Sequence, residues 1–178
     1  MISEIIKLFK EEATHEINCG VEEMKLDRIE KELSIKFPPL LRELYLVTNG
    51  AYDGGLLIFL SIDELKNINE FDFGYYSENE SVNNILWEFN AVGEPNCLIK
   101  NSQNYYSFMD YNFGGAYWFI NLNQNDAEYG QIKLIYNQSN EHFKCQNTIN
   151  DFFNIFNLEG CIESLLGSED EIKFYSLT

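Results

Sequence analysis

Basic residues are scarce in this chain: 12 Lys and Arg stand against 29 Asp and Glu, a net charge of −17. A surface of that sign repels nucleic acid and anionic lipid, so neither is expected as a direct partner; it favours encounter with a basic protein, or serves solubility alone. Cysteine is sparse as well. Cys19, Cys97, Cys145 and Cys161 form no CxxC pair, and only His15 and His142 are there to join them, so no metal centre or cofactor is expected. Such unpaired thiols suit a reducing cytoplasm. No apolar run reaches the length of a membrane span, and Lys7, Lys10, Glu11 and Glu12 interrupt the first segment, which excludes a signal peptide from the reading. Phosphate-cradling loops are missing too: Gly54-Gly55 and Gly114-Gly115 lack the GxGxxG and GxxxxGK spacings and read as turns. Repeats, heptads and low-complexity stretches do not occur, and the 21 asparagines point to AT-rich coding DNA more than to chemistry.

What the chain does have is material for a core. Its 178 residues are 45% apolar and include 14 Phe, 11 Tyr and 2 Trp, enough for one domain over residues 1–178 without staples. Ile2, Ile5, Ile6, Phe9 and Ala13 recur at helical spacing and predict an N-terminal helix, an extension spanning residues 1–20. A second helix carries Leu26, Ile29 and Leu33 on its buried face, with Arg28, Glu30, Lys31 and Glu32 solvated, and stops before Pro38. In PPLLRELYLVTNG the prolines start a third helix, Leu40, Leu41, Leu44 and Tyr45 form its stripe, and Asn49-Gly50 closes it in the left-handed region.

Leu56 to Leu60 reads as a buried strand. Ser61 and Glu64 form a capping box ahead of a short helix through Leu65 and Ile68. Residues 69–84 read as a loop leading into a helix through Val82, Ile85, Leu86 and Phe89. Strands follow at Cys97 to Lys100, Tyr105 to Met109, Ala116 to Leu122 and Gln131 to Tyr136. Thr148 and Asp151 cap a last helix carrying Ile149, Phe152, Phe153 and Phe156, and residues 159–178 form a C-terminal extension. The predicted class is α+β: N-terminal and flanking helices on a meandering, mostly antiparallel sheet in a single domain.

The helix followed by IEKELSIKFPPLLRELYLVTNGA, then a buried strand, the S-x-x-E turn, the Gly114-Gly115 turn with Tyr117 to Leu122, and the NTINDFFNIF helix together resemble the SMI1/KNR4, or SUKH, superfamily over roughly residues 24–158. Its acidic helix position corresponds here to Glu30 or Glu32, and its Asn-Gly end to Asn49-Gly50. Thr148 stands where that family often has Ser, and residues 69–94 are long and idiosyncratic. The resemblance implies a small cytoplasmic inhibitor with no chemistry of its own: an immunity protein, or antitoxin, that binds and neutralises a cognate bacterial polymorphic toxin, often a nuclease. The alternative it implies is a non-catalytic scaffold or regulatory interaction module.

Between Asp63 and Glu94 eight carboxylates face one cation, Lys66, and Phe71, Phe73, Tyr75, Tyr76 and Trp87 are interleaved among them. Rings supply apolar contact area and carboxylates mimic phosphates, so Asp72, Tyr75, Tyr76, Glu78, Glu80, Trp87 and Glu88 are the candidate partner-binding residues for a basic toxin. The plain alternative is a solvated acidic loop whose aromatics enter the core. No catalytic residue is assigned. Asp53 with Glu64, or Asp110 with Asp126, offers an acid and a base without a fixed separation. His15 sits on a helix among glutamates and His142 in a turn, and lone histidines are weak evidence for nucleophilic catalysis.

Overall fold

Apolar residues three and four apart make the helices, and the computed structural model, which describes residues 1–12, 16–52, 57–71, 101–111, 116–136, 142–146 and 148–153, places them against one sheet. Helix α1 (Ile2–Glu12) buries Ile5 and Phe9, and the Phe9 ring stacks on Phe59 at 5.7 Å. The N-terminal helix therefore contributes directly to the main core.

Helix α2 (Glu23–Leu33) ends where Ser34 turns left-handed at φ 55°, its N–H reaching back to the last helical carbonyls. Two expectations fail here. Leu33, read as part of the buried stripe, is exposed, because it occupies the last helical position and the chain turns away immediately after it. Glu30, read as solvated, is buried, because its carboxylate accepts from the Phe37 N–H at 3.0 Å and from Lys36 Nζ. An extended link follows, and the Lys36 N–H donates to the Leu122 carbonyl at 2.8 Å.

Helix α3 (Pro39–Val47) begins with Pro39 in the first turn, where a missing N–H costs nothing, and buries Leu40, Leu41, Leu44 and Tyr45 as the spacing predicts. Its end differs from the expectation. Thr48 caps it in an extended conformation, and the Asn49 side chain instead accepts from the Ile62 N–H at 2.8 Å. The positive φ belongs to Gly50, at 105°, a conformation that side chains rarely adopt, and it turns the chain into the sheet where a Cβ would also stand tight against the Phe59 carbonyl at 3.1 Å.

Among the described residues seven strands follow one another in sequence order and pair antiparallel: β1 (Glu16–Ile17), β2 (Ala51–Tyr52), β3 (Leu57–Phe59), β4 (Tyr105–Tyr111), β5 (Ala116–Asn121), β6 (Ile132–Tyr136) and β7 (His142–Gln146). The meander is thus longer than the periodicity alone indicates. Strands β1 and β2 are too short to alternate, and β7 places His142 opposite Ile135 in a ladder where a turn was expected.

Strand alternation gives the sheet two apolar faces. Tyr106, Phe108, Met109, Trp118, Ile120 and Ile132 join the helices in the main core. A register shift between Ser107 and Met109 turns two consecutive residues, Phe108 and Met109, to that side. Tyr105, Phe119 and Ile135 face the other way and pack with Ile68 in a second cluster. Each such ring or branched chain stabilises the fold by about 2 kcal/mol relative to exposure. The helical segment 149–153 closes the main core with Ile149, Phe152 and Phe153, and Thr148 Oγ1 accepts from the Asp151 N–H at 3.1 Å, the predicted cap.

Candidate functional site

The acidic, aromatic segment begins inside a rigid frame. After β3, the Ser61 N–H donates to Glu64 at 3.0 Å and caps a single 3-10 turn (Ile62–Glu64). The expected helix through Leu65 and Ile68 does not form, because Leu65 is extended and Asn67 forms a bridge with Tyr106 of β4. Asn67 then opens a second box: its N–H donates to Glu70 at 2.9 Å, and its side-chain oxygen accepts from the Asn69 N–H at 3.0 Å, starting the turn Ile68–Glu70.

Asn67 also closes the base of the segment. Its amide nitrogen lies 2.8 Å from the Gln103 carbonyl and 3.1 Å from that of Tyr105, tying the outgoing chain to the returning one. Phe71 anchors the exit, edge-on to Tyr117 at 4.6 Å and Phe119 at 5.1 Å. This ring, interleaved with the carboxylates in the sequence, is therefore packed against the second cluster. On the return side, Asn101 adopts φ 56° and leads through the 3-10 turn Ser102–Asn104 into β4. The seven candidate residues, Asp72, Tyr75, Tyr76, Glu78, Glu80, Trp87 and Glu88, lie outside the described residues, as do Val82 to Phe89 and Cys97 to Lys100.

The described carboxylates of the segment, Asp63, Glu64 and Glu70, are engaged. Asp63 pairs with Lys25 at 2.7 Å, and Glu64 and Glu70 serve as caps. Asp126 accepts from Asn101 at 3.0 Å, from Asn104 at 2.7 Å and from the Glu128 N–H at 2.9 Å. The Glu128 N–H foremost, and the asparagine amides after it, hold the Asp126 carboxyl at about 2, well below the usual carboxylate range, so it stays ionised near neutrality. Asp110 belongs to the opposite end of β4, paired with Tyr117, roughly 20 Å along the strand from the Asp126 cluster. That separation is too wide for an acid and base sharing one bond. Asp53 and His15 lie outside the described residues.

Beside this turn, Tyr105 presents its hydroxyl to Glu128 at 2.8 Å and Gln131 at 3.2 Å, and burial followed by the Glu128 carboxylate pushes its pKa up, so it remains a donor. Lys133 Nζ stands 4.7 Å from the centroid of the same ring and 3.7 Å from Glu128. The asparagines read from composition as incidental thus build the turn that holds the returning chain. Sequence reasoning missed Asn67 and Asn101; the only signal for either was the Asn-x-x-Glu spacing from Asn67 to Glu70. Among the described residues no group of three His, Cys, Asp or Glu side chains could hold a metal ion, and no helix is long and apolar enough to cross a membrane.

A model of the SMI1 / KNR4 family (SUKH-1) matches residues 20–155, about three quarters of the chain. No curated protein matches it. The matched span takes in α2, α3, the sheet from β2 onward and the whole acidic segment, and it begins after α1 and β1.

Proposed function

The chain belongs to the SMI1 / KNR4 family (SUKH-1), and from that premise we propose that it is an immunity protein that binds a cognate bacterial toxin and blocks access to the toxin's substrate. The partner is a basic protein, with a nuclease the class that best fits an acidic inhibitor. The observation that carries this reading is a segment rich in carboxylates and rings whose two ends are anchored by Phe71 and by the Asn101 turn, and whose base is closed by Asn67. Anchored ends reduce the ordering cost that a recognition loop otherwise incurs on binding. The carboxylates Asp72, Glu78, Glu80 and Glu88 supply long-range attraction and phosphate mimicry, and Tyr75, Tyr76 and Trp87 supply apolar anchors. In this reading the protein acts by occupancy, with no bond made or broken, in the cytoplasm where such a toxin would act.

Co-expression with the toxin encoded beside the gene tests the proposal. Rescue of growth, with the two proteins purifying as one complex, is the expected result. Failure of both would leave the scaffold reading in its place.

A further inference from the structure

The geometry points to a second contact surface for that basic partner, on the outer end of the α2–α3 pair; it rests on the proposed reading and deepens it. Residues 19–21, which lead into α2, lie directly along the end of α3. The Val21 N–H donates to the Tyr45 carbonyl at 2.9 Å, the Asn49 N–H to the Cys19 carbonyl at 3.2 Å, and Gly20 approaches so closely that a Cβ there would stand 1.9 Å from the Leu46 carbonyl oxygen. At the same end, Arg42 bonds Glu23 at 3.4 Å and also Asp27, fixing the two helices side by side.

This rigid end exposes three large apolar side chains: Met24 is 75% exposed, Val47 49% and Leu46 37%. Single exposed apolar residues are ordinary, but three of the five large exposed ones among the described residues occur on these two adjoining segments. Four carboxylates, Glu22, Glu23, Asp27 and Glu43, accompany them against one guanidinium, Arg42, which is only 17% exposed and already committed. The other two cations of the first turns of α2 are engaged as well, Lys25 with Asp63 and Arg28 with Glu32. Exposed apolar side chains on adjoining helix ends, with Glu22 and Glu43 close to them in sequence, match a partner segment that presents an aliphatic or aromatic side chain flanked by lysine or arginine.

The test uses the full chain and a synthetic helical peptide with a leucine stripe flanked by lysines, dye-labelled and followed by anisotropy. Saturable binding is expected, weakened about tenfold by the charge-neutral triple change Met24→Ser, Leu46→Ser, Val47→Ser and left unchanged by Leu33→Ser at the far end of α2. Glu22→Gln with Glu43→Gln, which leaves the apolar centre intact, should weaken it and flatten its salt dependence. Peptide binding that is absent, or that ignores both sets of changes, overturns the surface. The toxin rescue assay separates the two ideas: rescue by the triple variant as complete as by the wild type, with peptide binding unaltered, removes this surface and leaves the immunity reading standing, whereas absence of any rescue by the wild type removes the immunity reading itself.

Discussion

Glu30 shows how a single charged side chain can be misjudged from spacing and then explain a motif. Its position on α2 reads as solvated by helical periodicity, yet the link to α3 brings the Phe37 N–H and Lys36 to its carboxylate, and the buried N–H needs that acceptor. Glu30→Ala should cost about 2 kcal/mol and Glu30→Gln about half of that, read as shifts in the urea midpoint at unchanged slope. Equal costs would show that packing, with no contribution from the acceptor, is what the residue supplies. Asp126 makes a pH-dependent contribution of the opposite visibility. Its carboxyl falls from 3.8 to about 2 on folding, so the folded state binds its proton less readily; the stabilisation is full above 3.8 and is lost as pH falls toward 2. The melting-temperature gap between the wild type and Asp126→Asn should therefore be constant from neutrality down to about pH 5 and close between about pH 4 and 2. A gap indifferent to pH in that window would contradict the assignment. Neither role was readable beforehand, because both depend on which backbone N–H groups the tertiary fold delivers to a carboxylate.

At the scale of elements, the sequence carried the parts whose apolar period is long enough to register. Helices α1 to α3, the centres of β3 to β6 and the Thr148 cap are all where spacing and capping residues put them. The short edge pieces were not: β1 and β2 have two residues each, below the length at which alternation means anything, and the turn pair at Ile62 and Ile68 was read as one helix because a second capping residue, Asn67, restarts the backbone between them. The same reasoning bears on α1, which precedes the family-matched span yet places Phe9 on Phe59 inside the main core. Phe9→Ala should destabilise the whole domain by about 3 kcal/mol, the usual cost of removing a buried ring. A single cooperative transition displaced to lower urea by every probe is the expected outcome. A separate early transition confined to the helix, with the remainder unfolding as before, would make α1 an appendage.

For the molecule as a whole, the sign of the charge was plain from composition and the frame that uses it was not. Residues 51–178 carry 19 acidic groups against 5 basic ones, and of the residues that flank the most acidic segment Phe71 packs on the sheet's second cluster while Asn67 bonds the Tyr105 carbonyl. On the proposed reading, attraction between such a segment and a basic toxin would act over roughly a Debye length, about 8 Å at physiological salt, and so raise the rate of encounter before any contact forms. Contact chemistry, by contrast, sets how long the complex lasts. The two contributions separate experimentally. Raising salt should slow association steeply while leaving dissociation nearly constant, and the combined change Glu78→Gln, Glu80→Gln and Glu88→Gln should lower the on-rate by about tenfold at low salt with a smaller rise in the off-rate. Replacing Trp87 with Ala should do the reverse, because an aromatic anchor acts after encounter. Stopped-flow association across a salt series reads both. An on-rate that ignores salt, or that responds to Trp87 and not to the glutamates, would mean that shape alone brings the partners together and that the −17 charge serves solubility.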